Sequence, residues 1–197
     1  MPIESVYIAR VMDGLVLVAS MDHSSGDSKM ELYKNQAKQI LKKLDSSNAA
    51  SRMSVDSNPY VFHYIIENGI CYLVLTDKVY PKRLAFLFLE EIHTDFVEEL
   101  RNEHGEDWQN TVQTVGRQYA FIKFDRTIQK KKRDYQDPSS SANVRKLTDD
   151  LSAIQNVMRK TIDDVLDRGN KLEDVGEMSK NLASESKRFK WNSKKLS

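Results

Sequence analysis

The residues that could carry chemistry in this chain are few and scattered. His23, His63, His93 and His104 stand apart: none has a second histidine four residues on or a cysteine at ligand spacing. One thiol, Cys71, cannot build a zinc site, so no metal centre is expected. Cys71 lies inside the apolar run Ile70-Cys71-Tyr72-Leu73-Val74-Leu75 and reads as a buried core thiol, which suits a reducing compartment. The seven glycines are isolated, and no glycine-rich phosphate loop occurs, so no nucleotide cofactor is expected either. The pairs Glu90-Glu91 and Glu98-Glu99 have the chemistry of acid and base, but on a helix they read as a solvated face. Net charge is +1, and the basic run Lys130 to Arg133 lacks the interleaved aromatics and wide basic surface of a nucleic-acid face. The expectation is a protein without catalytic residues.

One charged residue is singled out by its position. Arg168 sits in Asp164-Val165-Leu166-Asp167-Arg168-Gly169-Asn170-Lys171-Leu172, within a run that otherwise has a helical pattern. Alternating steps of three and four residues from it reach Val165, Thr161, Met158, Ile154, Leu151, Leu147 and Val144 on one side. On the other side they reach Leu172, Val175, Ser179, Leu182, Ser186, Phe189, Ser193 and Leu196. Eleven of these sixteen positions are apolar, and the mean step of about 3.5 residues is that of a supercoiled helix. A stripe spanning about 80 Å is too long for an ordinary helix packed on a globular core, so coiled-coil assembly is expected.

Alone, this helix is not expected to be stable. Gly169 and Gly176 each cost about 1 kcal/mol relative to alanine, and four small hydroxyl residues occupy the seam. Serines at 179, 186 and 193 would leave voids beside an identical helix. Companions with larger residues, in a bundle of more than two helices, are therefore expected, and a buried arginine facing polar groups from them would mark the register.

The elements ahead of the seam come from a differently composed half. Val6 to Val11 and Leu15 to Ser20 are strand-like runs joined by Met12-Asp13-Gly14, a hairpin signal. Met30 to Leu44 carries a helical apolar face. Ser51 to Val55, Tyr60 to Ile66 and Ile70 to Thr76 follow as strands, the last two joined across Asn68-Gly69. Pro81 opens a second helix with its face at Ala85, Phe88, Leu89, Ile92, Phe96 and Leu100. A third is expected from Asp107 through Trp108, Val112, Val115 and Tyr119 to Ile122. Residues 126 to 143, with a basic run, Pro138 and a serine triplet, read as an exposed linker. The fold class is α+β, a five-stranded antiparallel sheet between helices.

This element order over residues 1–126 resembles the longin domain, a profilin-like trafficking module. MRKTIDDVLDRGNKLEDV, with arginine central in sixteen layers, resembles the SNARE motif of arginine-bearing vesicle SNAREs. Together they are similar to the longin-type R-SNAREs, above all those of the Sec-twenty-two type. The resemblance implies a longin domain at 1–126, a linker at 127–143 and a SNARE motif at 144–197, disordered or folded back when unpartnered. It implies a non-enzymatic membrane-fusion function in ER–Golgi transport, with Arg168 as the central layer facing three glutamine-SNARE helices of syntaxin-like and other kinds. COPII-type coat proteins are implied as partners of the longin domain and motif.

Such proteins face the cytosol on endoplasmic reticulum, intermediate-compartment and cis-Golgi membranes through a carboxy-terminal tail anchor. This chain stops one residue after Leu196, so the expectation is the cytosolic part of a tail-anchored protein. Residues 187–195, with five basic residues and no acidic one, suit a place beside anionic headgroups. A surface including Tyr33, Ile40 and Val55 is the expected contact for fold-back. A coiled-coil adaptor or tether, joining the small domain to a trafficking scaffold, is the rival reading.

Overall fold

The computed structural model describes residues 2–21, 28–44, 50–149 and 156–166. Its elements run β1 Ile3–Arg10, β2 Val16–Met21, α1 Ser28–Lys43, β3 Arg52–Ser57, β4 Tyr60–Glu67, β5 Ile70–Asp77, α2 Lys82–His104, α3 Trp108–Thr114, α4 Asp125–Tyr135, α5 Ser141–Asp149 and β6 Met158–Thr161. The chain divides into two units after Lys160, and of the second only residues 161–166 are described.

One sheet with strand order β2-β1-β5-β4-β3-β6 is the frame, and β1–β2, β1–β5, β4–β5 and β3–β4 all pair antiparallel. Alternation assigns the faces. Val6, Ile8, Ile65, Tyr72 and Val74 join a core with Phe86, Phe88, Leu89, Ile92 and Phe96 of α2. On the opposite face, Tyr60 of β4 packs edge-on against Tyr33 of α1, and Ser57 of β3 donates its hydroxyl to Gln36. The hairpin signals hold for chemical reasons: Asn68 and Gly69 have φ of 55° and 75°, as a tight antiparallel turn requires. Gly14, at φ 73°, also lies so close to α1 that a Cβ would stand 3.0 Å from the Leu41 carbonyl oxygen.

Three expectations need correction. First, the sheet has six strands, because β6 adds beside β3; the seam residues Met158 and Thr161 thus lie in a strand, where their spacing predicts a helix. Second, the third helix ends at Thr114, well short of Ile122. Its spacing is helical, but the buried Arg10 guanidinium takes the carbonyls of Val112, Gln113 and Val115 at 2.8, 3.0 and 2.7 Å. The chain then turns, and the Tyr119 and Phe121 amides donate to Val16 and Leu17 of β2. Third, the stretch read as an exposed linker holds α4, which buries Ile128, Lys132 and Tyr135 at helical spacing. Its basic composition hid that face.

These departures share a consequence. The two ends of the five-stranded part of the sheet are met by the chain itself, β2 by the amides of Tyr119 and Phe121 and β3 by β6, which becomes the outer strand. A row of unpaired strand groups is thereby kept from other chains.

Candidate functional site

The amino-terminal end of the seam is where the sequence pattern and the fold meet. Ser140 opens α5: its Oγ accepts the Asn143 amide at 3.2 Å in the manner of a helix cap. Asn143, one residue before the seam, is fully buried, and its Nδ2 donates to the carbonyls of Asp134 and Asp137 at 3.1 and 2.7 Å. The α4–α5 elbow is thus tied shut by one side chain.

α2 receives the elbow through Glu91. Its carboxylate accepts the Tyr135 hydroxyl and pairs with Lys131 at 3.0 Å and Lys146 at 3.4 Å. The Lys146 ammonium also lies 4.1 Å from the Tyr135 ring centroid. Partial burial works to raise the Glu91 carboxyl, but Tyr135, Lys131 and Lys146 more than offset it, so it sits below its ordinary range. Burial, and then the bond to Glu91, push the Tyr135 phenol well up. Tyr80 donates to the Tyr135 carbonyl at 2.6 Å, and Arg83 donates to the carbonyl of Leu147, a seam residue.

The described seam positions are unequally placed. Leu147 packs against the core between sheet and α2, while Val144 and Met158 are 46% and 48% exposed. Val157, outside the seam, packs against the same core. Arg159 of β6 forks onto Asp56 of β3, Nε at 2.8 Å and Nη2 at 2.7 Å. In the second unit, Thr161 Oγ1 accepts the Asp164 amide at 3.2 Å, and residues 162–166 are helical, with Val165 partly exposed. Leu151 and Ile154 fall outside the described residues, as do Arg168, Leu172, Val175, Ser179, Leu182, Ser186, Phe189, Ser193 and Leu196.

Tyr33, Ile40 and Val55 are all buried. Tyr33 donates its hydroxyl to the Asn58 carbonyl at 2.9 Å, and Val55 stands opposite Phe62. Residues 141–149 lie instead along α2, and residues 158–160 beside β3. Asn143, Glu91 and Arg159 were missed by sequence reasoning. The serine triplet before Asn143 was a cap signal, but nothing in the sequence pairs residues 40 or 103 positions apart, as Lys131–Glu91 and Arg159–Asp56 are.

Burial keeps other titratable groups inert: the Cys71 thiol is pushed far up, and His63 is held down at about 3. No group of three or more His, Cys, Asp or Glu side chains that could hold a metal occurs among the described residues. No helix among them is long and apolar enough to cross a membrane.

A small α+β domain thus holds the start of a heptad seam, and each of these two parts matches a known family. Residues 17–128 match the regulated-SNARE-like Longin family, and residues 143–197 match the Synaptobrevin family. Among full-length relatives, the 25.3 kDa vesicle transport protein SEC22-1 of Arabidopsis thaliana is 42% identical over 195 residues, which are 98% of this chain and 86% of that protein. The protein transport protein sec22 of Schizosaccharomyces pombe is 41% identical, over 95% of this chain and 83% of the relative. The vesicle-trafficking protein SEC22b of Xenopus tropicalis is 40% identical, over 96% and 84%. The chain belongs to the Sec22 family of longin-type R-SNAREs, SNAREs of vesicle transport.

Proposed function

We propose that this chain supplies the arginine helix of a four-helix SNARE bundle that drives membrane fusion in ER–Golgi transport, in both directions. Residues 144–197 are the motif, Arg168 faces three glutamine-SNARE helices, and the longin domain regulates assembly. The observation that carries this reading is the sixteen-position seam centred on Arg168, inside the segment that matches the Synaptobrevin family. No catalytic step is assigned. Assembly supplies the work: burying each large apolar seam side chain contributes about 1.5–3 kcal/mol before the cost of ordering the helix. A carboxy-terminal tail anchor would couple that free energy to the bilayer. COPII-type coats are proposed to read the longin domain together with the motif.

Regulation follows from a conflict of conformation. Residues 158–160 cannot be an extended strand beside β3 and part of a turn of seam helix at once. Leu147 likewise cannot pack on the α2 core and in a bundle layer together. The domain-bound form thus withholds amino-terminal layers until partners arrive.

The test is assembly with candidate glutamine-SNARE helices, followed by the gain in helicity. Val165→Asp and Leu172→Asp, which place charge in adjoining layers, are expected to abolish the complex. Unchanged assembly of both variants would favour the adaptor or tether reading, in which the seam tolerates such changes.

A further inference from the structure

Glu90, Phe86 and Lys82 recur every four residues along α2 and so share one face of that helix. Arg52, Ser54 and Asp56 recur every two along β3 and share one face of the sheet. The two rows advance by nearly equal steps, about 6 Å per four helical residues and about 6.7 Å per two strand residues. They meet rung by rung. The first rung is the ion pair Arg52–Glu90 at 2.5 Å. In the second, Phe86 stands edge-on to His63 at 5.3 Å, and the His63 Nδ1 meets Ser54 Oγ at 2.8 Å.

Carried one step further, the same spacings bring Lys82 to the level of Asp56, with charges reversed from the first rung. There, however, the carboxylate is held by both nitrogens of the Arg159 fork from β6. Lys82 forms no ion pair among the described residues. Its ammonium nonetheless feels both charges: burial lowers its pKa most, Arg159 lowers it further, and Asp56 works the other way.

We propose that Lys82 and Arg159 compete for Asp56, and that the carboxylate passes from Arg159 to Lys82 when residues 158–160 leave the β3 edge. Asp56 is only 23% exposed, so stranding it without a cation would be costly. Exchange removes that cost. The fork fixes the register of β6 on β3 yet adds little net hold, and the strand remains an easily lifted cover. This inference rests on the reading that residues 158–160 depart to join a bundle.

Amide hydrogen exchange of residues 158–160 in the full chain tests both. In the unaltered chain these amides are expected to be protected; full exposure would overturn the departure reading, and the exchange of counter-ions with it. Given protection, Lys82→Gln is expected to slow their exchange about two- to fivefold, the effect of one part-exposed charge. It removes the repulsion of Arg159 and leaves Asp56 without a second cation. In an Asp56→Asn background, Lys82→Gln is expected to change nothing. Protection unaltered or weakened by Lys82→Gln alone, while Val74 in the sheet centre stays protected, would overturn the competition and leave the departure reading standing.

Discussion

α5 and β6 belong to one heptad pattern, yet one is a helix and the other a strand, and they are held by different means. α5 is fastened by one buried and two part-buried groups: Asn143 closes the elbow, Arg83 holds the Leu147 carbonyl, and Glu91 gathers three donors. β6 is four residues long, largely exposed, and lies on an edge, with the Arg159–Asp56 clasp as its ion pair among the described residues. The contrast teaches an order of release. The strand, whose polar groups water can satisfy at once, opens at low cost, whereas α5 must expose carbonyls and a part-buried carboxylate.

The strongest way to break that comparison is Asn143→Ala. It takes the side-chain donor from the Asp134 carbonyl and leaves the Asp137 carbonyl with the Ser140 amide alone, beside a small void, a loss of about 2 kcal/mol. Exchange protection of residues 141–149 is expected to fall by more than tenfold, with the centre of β5 unchanged. Protection that survives would show that α5 is held by α2 alone.

Glu91→Gln is the next largest. It keeps the shape and removes the charge that Lys131, Lys146 and Tyr135 share; at 39% side-chain exposure the expected loss is about 1 kcal/mol. Acid should reproduce it. The Glu91 carboxyl is lowered by folding, so its contribution is present above the ordinary value of 4.5 and is lost as pH falls through the still lower value in the folded chain. A pH titration of α5 protection checks this, and in Glu91→Gln the acid-dependent loss should shrink.

The smallest effect is expected from Arg159→Gln, no more than about 0.5 kcal/mol, because Arg159 is 53% exposed and Lys82 can succeed to Asp56. It should raise exchange at residues 158–160 and leave 141–149 untouched. An effect on both segments would mean that they open as one.

What was legible beforehand follows the reach of each interaction. The two hairpins, α1 and α2 were readable because Asp13-Gly14, Asn68-Gly69, Pro81 and the apolar steps act over a few residues. α3 was overextended because a distant arginine, Arg10, competes for its last carbonyls. α4 escaped because three buried side chains lie among lysines and arginines that read as solvated. β6 could not be read at all. Its residues obey a helical repeat suited to partners, and only the vacant edge of β3 makes them a strand. Of the candidate site, the seam was visible as period, but the clamp was not, since Asn143, Glu91 and Asp56 have no local signature of their roles.

The central claim is that seam residues exchange a strand on the domain for a helix in a bundle. Hydrogen exchange and helicity, followed together while the full chain is mixed with three glutamine-SNARE helices, test it most directly. The account predicts that strand pairing of residues 158–160 with β3 is lost as their helical protection and the total helicity rise in step. A complex that forms while residues 158–160 keep their strand protection would contradict it.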